Sequence, residues 1–184
     1  MVIFWRRIDI ESLERLVLTA GTAGVQAASS VIGVADGGFR LDYVWRLTPD
    51  WRTASLRIDG WGADDERRVL ALERDADGWR VNGQRRPDLD GAEEPDLSVT
   101  PFCNTLPIRR LLGSDEASLT LDVAYVNGAD LTVSRSRQRY ERQGPDRIRY
   151  LDLGLFSGFE AELHIDSGMF VVSYGRLFER VDLS

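Results

Sequence analysis

The sequence predicts an all-β fold: a single large antiparallel β-barrel of about a dozen strands with one short helix or irregular insert. Apolar and polar residues alternate with a period of two over most of the chain. Turn-forming pairs that contain glycine recur about every ten residues, as hairpins require. The length of 184 residues suits one domain, and we expect residues 1–184 to form it. So many strands must close on themselves or pack as two sheets, and we favour a barrel.

The strands follow from the alternation, taken in chain order. In residues 39–47 every second side chain is large and apolar, which predicts a strand with one dry face. Segments 54–59, 118–125 and 159–166 repeat this pattern. The remaining strands are expected near residues 2–7, 12–19, 24–34, 67–75, 79–85, 131–142, 147–153 and 169–174. Turns are expected at Asp36-Gly37-Gly38, Asp77-Gly78, Asn82-Gly83, Asn127-Gly128 and Ser167-Gly168.

One segment, residues 85–113, breaks the alternation. It begins with acidic residues, glycine and proline, and it ends in an apolar stretch with two adjacent arginines. Asn104 or Thr105 is expected to cap a short helix that has Pro107 in its first turn and Gly113 at its end. Connections of this length in a β-domain are usually functional or disordered, and the apolar content favours function.

Composition excludes several functional classes. The chain contains no lysine, so Schiff-base chemistry and a P-loop lysine are excluded. The single cysteine and single histidine, Cys103 and His164, exclude an internal disulfide and multi-cysteine or histidine-rich metal sites. We therefore expect no cofactor and no metal. The net charge of −7 argues against nucleic acid and anionic membranes as partners.

The first residues and the hydropathy indicate where the protein acts. The opening segment 1–7 places its apolar residues before its arginines, which is typical of neither a signal peptide nor an anchor. No apolar run approaches the ~20 residues of a membrane-spanning helix. We expect a cytoplasmic protein without stable membrane insertion, and the sequence leaves the oligomeric state open.

Residues 96–111, with the sequence Asp-Leu-Ser-Val-Thr-Pro-Phe-Cys-Asn-Thr-Leu-Pro-Ile-Arg-Arg-Leu, resemble the signature of the bacterial putative glycolipid-binding family. That family was first catalogued as a domain of unknown function. A second match covers Gln138-Arg139-Tyr140-Glu141, Arg149-Tyr150, residues 159–163, Asp166, Gly168 and Tyr174. The resemblance extends over essentially the whole chain.

This resemblance implies a large antiparallel barrel, similar in shape to periplasmic lipoprotein carriers, that encloses an apolar cavity. Glycolipid binding in the family is inferred from that shape. The chain departs from the family at position 103, which is Cys where Thr is more common, and before Asp96, where an expected Gly-Cys pair is absent.

Candidate ligand-binding residues lie mainly in the signature. Asn104, Thr105, Arg109 and Arg110 bring amide, hydroxyl and guanidinium groups that can bind sugar hydroxyls or a phosphate oxygen. The structural alternative is that Asn104 caps a helix and one arginine pairs with Asp96. Adjacent arginines on a helix point about 100° apart, so only one of the two is expected to face a ligand.

Aromatic residues supply the remaining candidates. Trp45 shares a dry strand face and is interior, whereas Trp61 interrupts a polar row and is either exposed or covered by a loop. Either can stack on a sugar or line a cavity. The candidate ligand-binding residues are Asn104, Thr105, Arg109, Arg110, Asp96, Trp45, Trp61, Tyr140 and Tyr150, and we expect no catalytic residue and no metal ligand.

Three functions stay open at this point. The leading hypothesis is a non-enzymatic carrier or sensor that holds a glycolipid or another amphiphilic small molecule in the barrel, with its polar head near Asn104, Arg109 and Arg110. The second is an enzyme acting on a carbohydrate or lipid ester through a carboxylate such as Asp96 or Asp59. The third is a partner-binding module that uses residues 85–113 as its epitope.

Overall fold

The computed structural model describes residues 1–182, and it forms one curled sheet around a helix. The strands are β1 Val2–Arg7, β2 Ser12–Gly21, β3 Gly24–Gly33, β4 Phe39–Leu47, β5 Thr53–Trp61, β6 Arg67–Asp75, β7 Gly78–Val81, β8 Gln84–Arg85, β9 Ala92–Leu97, β10 Ser118–Val126, β11 Val133–Arg142, β12 Arg147–Asp152, β13 Glu160–Ile165, β14 Val171–Tyr174 and β15 Phe178–Arg180. The helix α1 spans Phe102–Leu112, and short 3₁₀ turns lie at Ala35–Gly37 and Pro87–Leu89.

All fifteen strands belong to one sheet, which confirms the predicted all-β, barrel-like fold. Their order is β8-β7-β6-β5-β4-β3-β2-β1-β15-β14-β13-β12-β11-β10-β9. Neighbours are antiparallel except β9 and β10, which pair in parallel. Because β15 pairs with β1, the two halves of the chain join in the middle of the sheet, and β8 and β9 become its two edges.

Side chains, not a backbone ladder, connect the edge strand β9 to the part of the sheet that ends in β8. In the described part of the chain β8 and β9 share no strand pairing. Instead the Trp79 indole N–H donates to the Ala92 carbonyl (2.8 Å), and Arg74 Nη1 donates to the Glu93 carbonyl (2.8 Å). Glu94 lies in the interior and accepts from the Thr53 N–H (3.1 Å) and hydroxyl (2.5 Å). These bonds draw β9 toward β5–β7 and complete the barrel-like shape.

The helix α1 lies inside the curled sheet. Eight of its eleven residues are buried, on every side of the helix, which is typical of a core helix. Its first residue, Phe102, packs edge-on against Trp45 with 5.6 Å between ring centroids. Near its other end, Arg109 reaches the turns that follow β4 and β13. The helix therefore runs from one end of the barrel to the other and fills much of the interior.

Segment 85–113 differs from its prediction. It contains β9 and α1, so most of it is regular, and much of β9 and α1 is buried. The expected cap at Asn104 or Thr105 is wrong: α1 begins at Phe102, whose N–H donates to the Thr100 hydroxyl (3.1 Å). Gly113 follows the helix as predicted. Pro107 lies inside it and removes only one helical hydrogen bond.

Strand boundaries agree with the sequence prediction within a few residues, with two omissions. The predicted strand 79–85 is the hairpin of β7 and β8, turned at the predicted Asn82-Gly83. The sequence prediction missed β9, which contains Pro95, because proline is rare in strands except at an edge such as this. It also missed β15, which has only three residues and is too short to show a period.

We expect Trp79→Phe to weaken the connection between the edges. The change keeps an aromatic ring in the core but leaves the buried Ala92 carbonyl without its donor, which costs about 2 kcal/mol. The measurement is the free energy of unfolding in urea. Trp61→Phe is the control, because the Trp61 indole N–H donates to no described residue. Equal losses in both variants would contradict this account.

Candidate functional site

A cavity of about 480 Å³ lies at one end of the barrel, beside the first turn of α1. We call this the open end; it carries the connections 8–11, 98–101, 127–132, 153–159 and 175–177. The cavity is lined by Arg7, Asp96, Leu97, Ser98, Thr100, Cys103, Asn104, Tyr125, Tyr150, Asp152, Phe156, Phe159, Tyr174, Leu177 and Phe178. Its size lies within the range of about 300–1,000 Å³ that is usual for small-molecule pockets.

Asp96 is the central polar group of the cavity. Its Oδ1 lies 2.9 Å from the Cys103 thiol, and its Oδ2 accepts from the Gln138 side-chain amide at 2.5 Å. Burial raises the pKa of Asp96, the two hydrogen bonds oppose that shift, and the nearby charge of Asp152 adds to it. Both oxygens keep a free lone pair, so the carboxylate can accept further hydrogen bonds from a ligand.

A chain of hydrogen bonds fixes Asp96 in place. The Tyr140 hydroxyl lies 2.9 Å from Asn104 Oδ1 and 3.1 Å from Gln138 Oε1. Because the Gln138 oxygen faces Tyr140, its NH₂ group faces Asp96. Burial raises the pKa of Tyr140 well above its usual range, so the phenol stays a neutral donor. Asp96 is thus held by residues of α1 and β11 together.

Asp152 is the second carboxylate of the cavity, and it organises the connection after β12. Its Oδ1 accepts from the N–H groups of Gly154 (2.8 Å) and Phe156 (3.0 Å), while Oδ2 lies 3.3 Å from the Tyr150 hydroxyl. Gly154 is required here, because a Cβ at this position would lie 2.5 Å from the Arg137 backbone nitrogen. The loop is therefore tied closely to the barrel.

Aromatic rings form the walls. Tyr150 contacts Tyr140, Phe159 and Tyr174 edge-on, with centroids 5.3, 6.0 and 5.8 Å apart, and Tyr174 stacks on Phe178 at 6.1 Å. Burial raises the pKa values of Tyr150 and Tyr174. The result is a pocket with a polar floor of carboxylate, amide and hydroxyl groups and an aromatic wall.

The entrance of the cavity is apolar. Phe156 and Phe159 line it and are 52% and 38% exposed, and Leu153 and Leu155 in the same loop are 44% and 49% exposed. Side chains this large and apolar usually avoid water when they cluster. The exposed apolar cluster at the entrance indicates that this end of the barrel contacts an apolar group of another molecule.

The chain is similar to known proteins in sequence and in fold. The sequence profile of the family described as "Putative glycolipid-binding" matches residues 2–180. This chain belongs to that family. The crystal structure of a DUF1089 family protein from Pseudomonas aeruginosa is 30% identical, covers 92% of each chain, and superposes with a TM-score of 0.80.

A more distant structure shares the fold alone. It is a beta-barrel-like protein of the domain of unknown function DUF1849 from Brucella abortus, 8% identical, which covers 98% of this chain and 96% of its own with a TM-score of 0.56. Among curated proteins, none matches this chain. In residues 1–182, no helix has the length and apolar character needed to cross a membrane.

Three of the residues singled out from the sequence, Asp96, Asn104 and Tyr150, line the cavity. Tyr140 lies directly behind it, in contact with Asn104 and Tyr150. Thr105 is fully buried on α1, and its hydroxyl has no hydrogen-bond partner among the described residues.

The two arginines and the two tryptophans lie elsewhere. Arg109 stacks over Trp51 (3.7 Å) at the opposite end of the barrel, where burial lowers its pKa. Arg110 pairs with Glu93 (2.7 Å), so the alternative that one arginine pairs with Asp96 is wrong. Trp45 is buried and donates to the Thr53 hydroxyl (2.8 Å). Trp61 is covered by Arg40, whose guanidinium lies 5.0 Å from the ring centroid.

Sequence reasoning missed most of the cavity wall. Asp152, Phe156 and Phe178 were not singled out, and Tyr174 was noted only as part of the family resemblance. One signal was available: segment 150–159, the end of a predicted strand and the loop after it, contains a carboxylate, two glycines and three aromatic residues. Such a loop on a rigid sheet is a favoured position for a binding site.

A further buried carboxylate, Glu14, lies behind the floor of the cavity. It is 2% exposed, and its Oε1 accepts from the hydroxyls of Ser29 (2.7 Å) and Tyr43 (2.7 Å). The Tyr43 hydroxyl also lies 3.3 Å from the Thr100 hydroxyl, which lines the cavity. Burial raises the pKa of Glu14 from its ordinary 4.5 to about 7, and the hydroxyl donors only partly oppose it.

This shift predicts a pH-dependent stability. The folded protein binds the Glu14 proton more tightly than the unfolded chain does, so the stabilisation is complete below pH 4.5 and is lost as pH rises through about 7. Glu14→Gln cannot ionise, so its free energy of unfolding relative to the wild type should rise by about 3 kcal/mol between pH 4.5 and 8.

Urea unfolding at the two pH values measures this difference. Tyr43 and Cys103 face Glu14 but do not titrate in this range, since burial raises both pKa values well above their usual range. Exposed Glu116→Gln is the matched control and should show no such rise. A constant difference between Glu14→Gln and the wild type would contradict the assignment.

Proposed function

We propose that this protein binds an amphiphile of the glycolipid type in the cavity at the open end, as a carrier or sensor. The observation that carries the proposal is the division of the cavity into a polar floor and an aromatic, exposed entrance. An amphiphile has the same division. The description of the family, "Putative glycolipid-binding", supports the same class of ligand.

The floor suits the polar head. Asp96 and Asp152 can accept hydrogen bonds from sugar hydroxyls, and the rings of Tyr150, Tyr174 and Phe178 offer apolar surfaces on which a sugar ring can stack. We therefore propose that the head lies deep in the cavity near Asn104. Arg109 and Arg110, which the sequence analysis expected beside the head, take no part in this proposal.

The entrance suits the apolar part. A chain leaving the cavity passes Phe156 and Phe159 and reaches the exposed Leu153 and Leu155. Each methylene that these side chains cover contributes about 0.8 kcal/mol to binding. Binding would also remove the apolar side chains of the entrance from water. This would explain why apolar side chains are exposed there.

The geometry favours binding over catalysis. Asp152 already accepts two backbone N–H groups, which is the role of a residue that shapes a loop. Burial raises the pKa of the Cys103 thiol well above its usual range, so it is a poor nucleophile. Asp59, the other carboxylate considered for an enzyme, pairs with Arg57 (3.3 Å) and with Arg67 outside the cavity.

The partner-binding alternative has little surface to use. Most of α1 and four of the six residues of β9 are buried, so the exposed residues of segment 85–113 are Pro87, Asp88, Asp90, Gly91 and Gly113. We also propose that the protein acts in the cytoplasm and does not insert stably into a membrane. Fractionation of the host cells tests that part of the proposal.

Blocking the entrance should weaken binding. Leu177 lines the cavity at the open end, and Leu177→Trp places a larger side chain across it. We expect the Kd for n-decyl β-D-glucoside, measured by calorimetry below the micelle concentration, to rise at least tenfold. Val172→Trp, at an exposed apolar position on β14, is the control and should bind like the wild type.

Native mass spectrometry of protein isolated from its own host provides a measurement without a chosen ligand. The wild type and Val172→Trp should carry a bound small molecule that Leu177→Trp lacks. Wild-type protein without any bound molecule and without affinity for the glucoside would overturn the proposal.

A further inference from the structure

The two carboxylates of the cavity have no basic partner. On the outer surface arginines pair with carboxylates, as Arg149 does with Glu160 and Arg135 with Asp122. Among the described residues, no Arg or His nitrogen lies within 4.0 Å of a carboxylate oxygen of Asp96 or Asp152. A carboxylate that is withdrawn from water without a cation is costly, so this omission is unusual in a chain with 23 arginines.

Arg7 is the one arginine in the cavity lining, and it is engaged elsewhere. Its Nε and Nη2 donate to the two oxygens of Asp9 (2.7 and 2.9 Å), and its Nη1 donates to the Ser98 carbonyl (3.3 Å). Its guanidinium also lies 5.4 Å from the Phe178 ring centroid. Arg7 is therefore held at the edge of the cavity and does not neutralise the floor.

The hydrogen bonds around the carboxylates favour their charged forms. Asp96 faces the Cys103 thiol and the Gln138 amide, which are both donors. Asp152 faces two backbone N–H groups and the Tyr150 hydroxyl, which are also donors. None of these groups needs a proton from the carboxyl, so the hydrogen bonds at Asp96 favour its charged form and oppose the effect of burial.

The walls add a second indication that a ligand completes the site. Tyr150 and Tyr174, which are 4% and 8% exposed, both line the cavity. The faces of aromatic rings attract cations, most strongly where water is excluded. Rings offer no oxygen ligands to a metal ion, so walls of this kind suit an organic cation.

We infer that the head group of the ligand carries an ammonium group, which lies between Asp96 and Asp152 and against the rings of Tyr150 and Tyr174. The inference rests on the proposed function and narrows it to amine-bearing amphiphiles, whether the amine belongs to an amino sugar or to another head group. A phosphate or carboxylate head would meet two like charges and is disfavoured.

Three probes that share a decyl chain and differ in their head group test the inference: n-decylammonium chloride, n-decyl β-D-glucoside and sodium decyl phosphate. Calorimetry below the micelle concentration should give decylammonium a Kd at least tenfold lower than that of the glucoside, with decyl phosphate the weakest. Equal or tighter binding of the glucoside or the phosphate to the wild type would overturn the inference without using any variant.

Asp96→Asn locates the effect. It should raise the Kd of decylammonium at least tenfold more than it raises the Kd of the glucoside, because only the ammonium loses an ion pair. Asp64→Asn, an exposed change of the same charge, should alter neither. If folded Asp96→Asn keeps the full preference for decylammonium, the ammonium does not lie at Asp96 and the inference is wrong.

The outcomes separate this inference from the proposed function. If the glucoside binds, Leu177→Trp blocks it, and decylammonium has no advantage, the proposed function stands and the inference fails. If none of the three probes binds, both fail. Titration with D-glucosamine identifies the source of the amine: binding that requires Asp96 indicates an amino sugar, and binding of decylammonium alone indicates another amine-bearing head.

Discussion

The insertion of α1 into the curled sheet is the constraint on which the rest of the structure depends. A sheet of fifteen strands encloses more space than its own inward side chains fill. The helix occupies most of that space, with Asn104 lining the cavity at the open end and Arg109 lying over Trp51 at the other end. What remains is the cavity beside the first turn of α1. Its floor is therefore partly helix, which explains why residues of the family signature lie there.

The helix also sets the chemistry of the floor. Cys103 and Asn104 belong to its first turn, and through them α1 reaches Asp96 on β9 and Tyr140 on β11. The Cys103 thiol lies beside the Asp96 carboxylate, a position in which the hydroxyl of the Thr more common in the family can donate as well. The departure at position 103 therefore keeps the hydrogen-bonding pattern.

Local patterns in the sequence were sufficient for most of the strands, because each has one face toward the core and one toward water. They were insufficient for β9, where Glu94 is buried because Thr53, 41 residues away, supplies its hydrogen bonds. They also misplaced Arg109 and Arg110. Five residues of helix carry Arg109 about 8 Å along the axis from Asn104, away from the cavity. Tyr174 joins the site only after the barrel forms, so no local pattern marks it.

The comparison of Glu14 with Asp96 supports the assignment of a ligand to the cavity. Glu14 is buried and Asp96 is half-buried beside the cavity, and neither pairs with an arginine within 4.0 Å in the described residues. Glu14 faces hydroxyl groups in the packed interior, and its pKa of about 7 lets it take up a proton when the charge is too costly. Asp96 instead faces a cavity, between an amide and a thiol that both donate to it. A group in the first position can be stabilised by protonation alone. A carboxylate beside the cavity, such as Asp96, is stabilised further by a cation that enters the cavity. The free-energy cost of withdrawing Asp96 from water therefore falls where a ligand can offset it.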